Sequence, residues 1–117
     1  MTWHDAIGAD ELADGESKII EIDGRSIGVF RVDKAYRAVL NFCPHAGAPV
    51  CAGRVTGRVT TDAQGRPGLD TTPTLRCPWH HWEFDLATGH AVAPGVRERL
   101  KVYDTRIADQ RVQLRLP

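Results

Sequence analysis

The dipeptide Asp23-Gly24 sits in the middle of KIIEIDGRSIGVFRV, residues 18–32, with a β-prone run on each side. Between such runs it favours a type I′ turn, in which both central residues take positive φ, and that turn joins adjacent antiparallel strands. The same pattern recurs twice. AYRAVLNF (35–42) follows a turn at Asp33-Lys34, and RLKVYDTRIA (99–108) and RVQLRL (111–116) flank Ala108-Asp109-Gln110. In the last run Val112, Leu114 and Leu116 share one face, and Arg111, Gln113 and Arg115 the other. The one helical candidate is GADELADGE (8–16), where Asp10 could cap a turn or two. Many short strands, seven prolines and eleven glycines predict an all-β fold, a small sandwich or barrel with little helix.

A length of 117 residues predicts one domain, residues 1–117. Residues 56–74, TGRVTTDAQGRPGLDTTPT, are rich in Thr, Gly, Asp and Pro. They read as a long excursion, with room for a ragged hairpin, rather than as an interdomain linker. Fifteen basic residues balance fifteen acidic ones, so no nucleic-acid or acidic-membrane partner is expected. No apolar run approaches the roughly 20 residues of a membrane span. With no basic segment leading into an apolar one near the N-terminus, a cytoplasmic location is expected. Three cysteines, at 43, 51 and 77, are an odd number for a disulfide framework and leave metal binding, catalysis or burial.

The chemistry concentrates in two places, Cys43-Pro44-His45 and Cys77-Pro78-Trp79-His80. Each supplies a soft thiolate and an imidazole, ligands suited to zinc or to iron in an iron–sulfur centre. Proline stiffens both loops, and Gly47 allows a positive φ beside the first. Together they offer four protein ligands. A structural zinc clamp is one use of such a set, although zinc fingers usually separate a Cys pair from a His pair, whereas here each loop mixes the two.

The pattern C-x-H…C-x-x-H, as CPHAGAPV and CPWHHWEFDLATG, resembles the Rieske [2Fe–2S] family, and the likeness runs from ADELADGES to AVAPGV. The resemblance implies cluster-binding loops at about 41–53 and 75–96 that form a subdomain. It implies Cys43 and Cys77 on one iron of one [2Fe–2S] cluster and His45 and His80 on the other. It implies Nε2 edges open to solvent, and Pro94 in a loop shielding the cluster. Two imidazoles in place of two thiolates make such a centre about two charges less negative, which raises its potential to roughly −150 to +300 mV. High-potential relatives carry a serine two residues and a tyrosine four residues after the second histidine, whose hydroxyls donate to sulfur. Trp82 and Phe84 stand there instead. The extra cysteines of those relatives correspond to Pro49 or nearby and to Trp79. The expected potential is therefore at the low end, about −150 mV.

His81, where the family commonly has glycine, is read as an exposed loop residue. Tuning of the cluster by its charge, or ligation by His81 in place of His80, are the other readings. Cys51 reads as a small buried hydrophobe, and His4 and His90 as surface residues. Trp82 and Phe84 are expected to pack under the second loop.

The resemblance implies an electron carrier rather than a catalyst in its own right: a standalone ferredoxin between a reductase and a terminal oxidoreductase or oxygenase. Docking would be small and transient. An oxygenase would need a second iron held by two histidines and a carboxylate, and residues 97–117 contain no histidine. A non-catalytic Rieske subunit or redox-sensing module of a larger complex is the alternative, with 56–74 as its binding element.

Overall fold

A computed structural model describes the chain except residues 1, 45–46, 62–63, 80–81, 94 and 117, and except the side chains of strand residues 56–61 and 67–72. Among the described residues ten strands run in order: β1 (Thr2–Gly8), β2 (Ser17–Ile22), β3 (Arg25–Val32), β4 (Ala35–Leu40), β5 (Arg54–Thr61), β6 (Pro67–Arg76), β7 (Glu83–Asp85), β8 (Val102–Tyr103), β9 (Thr105–Ala108) and β10 (Arg111–Leu116). They form three antiparallel sheets, ordered β1-β10-β9, β2-β3-β4-β8 and β5-β6-β7. Among the described residues the helical content is one 3-10 turn, Val50–Ala52. The all-β expectation holds.

The tight turns organise the first two sheets. Asp23 and Gly24 have φ of 51° and 74°, Asp33 and Lys34 of 51° and 64°, and Asp109 and Gln110 of 50° and 61°. Each pair closes a two-residue hairpin, with Ile22 facing Arg25, Val32 facing Ala35 and Ala108 facing Arg111. Positive φ at both central positions matches the right-handed twist of the flanking strands.

Strands β3 and β4 of the four-stranded sheet are covered on both faces, which explains the unbroken buried run Ile27–Phe30 in β3. On one side Ile27, Val29 and Ala38 join Ile7, Leu12, Tyr36, Tyr103, Val112, Leu114 and Leu116. On the other, Phe30 and Val39 meet Cys43, Val50, Cys51, Leu75, Cys77, Phe84 and Leu86. The chain crosses between sheets at Asp104: β8 pairs with β4, whereas β9 pairs with β10. The Thr105 hydroxyl donates to the Tyr36 carbonyl at 3.0 Å and pins that corner.

One expectation changes. Residues 9–16 form turns rather than a helical turn or two. Side chains take the backbone donors that a helix would use, since the Glu11 carboxylate accepts the Gly8 N–H and the Glu16 carboxylate accepts that of Ala13. Leu12 enters the core, and Arg31 donates to its carbonyl at 2.7 Å. The 56–74 excursion holds the ragged hairpin that its sequence left room for. Strands β5 and β6 pair from Arg54↔Arg76 to Thr61↔Pro67, with a bulge between Thr56 and Arg58. Strand β7 covers only Thr74–Arg76, so residues 58–61 and 67–70 pair with each other alone.

Candidate metal centre

The first loop leaves β4 at Leu40. Cys43 donates its N–H to the Ala48 carbonyl at 2.8 Å, and Gly47 donates to the Cys43 carbonyl at 2.7 Å. Gly47 has φ of +75°, the left-handed turn its sequence position predicts. The Asn41 side chain ties the ends of this loop together, accepting the Cys51 N–H at 2.9 Å and donating to the Ser26 hydroxyl at 3.2 Å.

The second loop closes in the same way. Cys77 donates to the Trp82 carbonyl at 2.7 Å, again five residues on. Behind it, Phe84 bridges Ala91, Val92 donates to the Glu83 carbonyl at 2.9 Å, and Leu86 donates to the Pro73 carbonyl at 3.1 Å. Phe84 is fully buried, and Trp82 packs against the same core with its ring centroid 6.2 Å from that of Phe84.

Cys43 and Cys77 are both 0% exposed and belong to one core. No disulfide joins any of the three cysteines. Two buried thiols on matched, proline-stiffened loops suit iron ligation, because they are shielded from oxidants and held without long flexible side chains. A [2Fe–2S] group requires four protein ligands, and these two thiols are the part of the expected set that the structure describes. The expected His45 and His80 lie outside the described residues, as do His81 and Pro94.

Around the thiols the surface is mixed. A groove of about 330 Å³ runs between the loops, lined by Ala52, Gly53, Arg54, Arg76, Cys77 and Pro78. Arg54 and Arg76 face each other across the ladder, and Arg76 pairs with Glu83 at 3.2 Å. A second groove of about 410 Å³ borders Trp82, Glu83, Ala91, Val92, Ala93 and Val96. Phe42 and Trp79, on the two loops, are more than half exposed.

The sequence matches the Rieske [2Fe–2S] domain over residues 2–104. The chain belongs to the Rieske [2Fe–2S] family. The Rieske domain carries one [2Fe–2S] cluster. The chain is 27% identical over 114 residues to the ferredoxin component of a naphthalene 1,2-dioxygenase system from Pseudomonas aeruginosa, covering 97% of this chain and 95% of that one. Among solved Rieske structures it resembles the Sphingomonas yanoikuyae B1 ferredoxin, with a TM-score of 0.74, 25% identity and coverage of 99% and 100%. A Mycobacterium tuberculosis protein assigned as the small subunit of an NADH-dependent nitrite reductase gives a TM-score of 0.74, 27% identity and coverage of 99% and 96%.

Cys51 is buried, as its sequence context predicts; burial pushes its thiol up to about 12. His90 is exposed and His4 partly so, 3.7 Å from Asp23. Sequence reasoning missed Asn41, Gly28 and Gly53. Gly28, an isolated glycine inside a strand, carried a readable signal of close approach, while Gly53 carried none. Among the described residues no helix is long and apolar enough to cross a membrane.

Proposed function

We propose that this chain is a single-electron carrier, a Rieske-type ferredoxin that accepts an electron from a reductase and delivers it to a terminal oxidoreductase such as an oxygenase. The observation that carries the reading is the pair of buried thiols, Cys43 and Cys77, each closing its own loop through an N–H bond to the carbonyl five residues on. Cys43 and Cys77 would hold one iron, and His45 and His80 the other. Bound there, the cluster supplies reversible one-electron transfer without bonding to a substrate. The dioxygenase ferredoxin relative supports the carrier role and the oxygenase as acceptor. Three cysteines kept as thiols accord with a reducing compartment, so the cytoplasm is part of the same proposal.

A second reading, a subunit fixed in a reductase complex, is favoured by the nitrite reductase small-subunit neighbour. An EPR spectrum after dithionite reduction tests the common ground. A rhombic signal with average g below the free-electron value supports the cluster, and folded protein holding zinc without iron refutes it. Purification at native abundance separates the two readings. A carrier elutes alone, whereas a subunit elutes with a large redox partner.

A further inference from the structure

Two glycines lie where the first loop meets the rest of the protein, and each has a neighbour where a side chain would stand. A Cβ on Gly53 would fall 1.8 Å from the carbonyl oxygen of Arg76 and 3.0 Å from that of Val50. The backbone of Gly53 is extended, at φ −77° and ψ −171°, which any residue adopts. Its requirement is space and not conformation. Gly53 follows the 3-10 turn of the first loop, and Arg76 immediately precedes Cys77. The contact is backbone against backbone, so neither side yields by a rotamer change.

Gly28 shows the same relationship on the sheet side. A Cβ there would fall 2.4 Å from Cys51 Sγ and 2.7 Å from Cys51 Cβ. Gly28 lies inside β3, paired with Ile19 and Val39. Cys51 fills the notch at 4% exposure, with Sγ 3.7 Å from the Val39 carbonyl oxygen. The first loop is thus registered at two points: on the sheet through Cys51, and on the second loop through Gly53.

We propose that Gly53 and Gly28 are positioning residues for the metal centre, setting the separation between the loop that carries Cys43 and the loop that carries Cys77. The inference rests on the reading of those cysteines as ligands. The magnitudes favour it. Metal–ligand distances tolerate changes of only about 0.2 Å. Relieving a 1.8 Å approach to a contact of roughly 3.5 Å requires one loop to move by more than an ångström. The core built on Ile7, Val112 and Leu114 contains neither cysteine, so the sheet signal serves as a separate readout.

The test uses iron-loaded protein as Gly53→Ala, Gly28→Ala and the double variant Gly28→Ala/Cys51→Gly, with Cys43→Ser and Cys77→Ser as ligand controls. Four quantities are read: EPR g-values after reduction, iron release to EDTA, far-UV circular dichroism, and thiol alkylation of the iron-free chain. Both glycine variants should release iron roughly tenfold or more faster than the parent. Their g-values should be altered and Cys43 and Cys77 should alkylate faster, while the sheet dichroism is kept. The double variant removes the Cys51 side chain from the space that a methyl group at position 28 needs, and should recover the slow release. Serine variants that abolish the signal beside glycine variants matching the parent would overturn the inference and leave the ligand reading standing. Serine variants that keep the signal would overturn both. Loss of sheet dichroism together with iron would also overturn it, since the effect would then not pass through the loops.

Discussion

The N–H of Cys77 donates to the carbonyl of Trp82, five positions on, at 2.7 Å, just as that of Cys43 donates to Ala48, also five positions on. Two segments with different spacer sequences have reached the same closure. Each places its cysteine at the root of a short loop.

The C-x-x-H spacing, which favours His80 over His81 as ligand, makes a prediction about the two adjacent histidines. Replacing His80 by alanine should abolish the rhombic EPR signal, whereas His81→Ala should keep it. The reverse outcome would assign ligation to His81.

Phe84 bears on the potential. It is fully buried beneath the second loop, at the position where high-potential relatives present a tyrosine hydroxyl. Phe84→Tyr should raise the reduction potential from about −150 mV if its hydroxyl donates to the centre. A hydroxyl left without a partner there would cost about 1–3 kcal/mol of stability and leave the potential unchanged. Redox titration followed by EPR, alongside thermal melting, distinguishes the two.

Gly89 is fixed by conformation and by space. Its φ is +80°, and a Cβ would fall 2.4 Å from the Leu100 carbonyl oxygen, next to the bond from the Leu100 N–H to the Gly89 carbonyl at 2.8 Å. Gly89→Ala should destabilise the protein by about 1–3 kcal/mol, read as a lower denaturant midpoint with an unchanged slope.

Cys51 gives the protein an alkaline limit. Burial pushes its thiol up to about 12, against about 8.5 in an unfolded chain. The folded state holds the proton more tightly, so this contribution to stability is complete below about pH 8.5 and is lost as pH rises toward 12. Denaturant midpoints measured from pH 7 to 11 should fall for the parent and fall less steeply for Cys51→Ala.

The β5–β6 hairpin should be separable from the metal centre. Residues 58–61 and 67–70 pair only with each other. Replacing 58–70 with a short Gly-Ser turn should leave the EPR signal and potential as they are. A protein that works as a fixed subunit would then lose its partner, while a free carrier would keep its electron-transfer rate.

How much of the fold is legible in the sequence depends on the range of the interactions. Asp23-Gly24, Asp33-Lys34 and Asp109-Gln110 specify their turns locally, and Val112, Leu114 and Leu116 specify a buried face by alternation. The two cysteine loops are legible because ligand chemistry restricts the residue types at fixed spacing. The 8–16 segment misleads because Glu11 and Glu16, good helix formers, bind nearby backbone N–H groups while Leu12 answers to a distant core. The hairpin at 54–76 is harder to see because Thr, Gly and Pro hide its alternation. The crossing at Asp104 and the Gly53–Arg76 contact join residues far apart in the chain, and no local pattern announces them.

Strand β1 pairs with β10 from Thr2↔Leu116 to Gly8↔Arg111, so the strand nearest one end of this sequence needs the strand nearest the other. The apolar wall built from Ile7, Val112, Leu114 and Leu116 is shared between them. Shortening the sequence at either end would therefore open the same face, and the two termini tolerate trimming together or not at all.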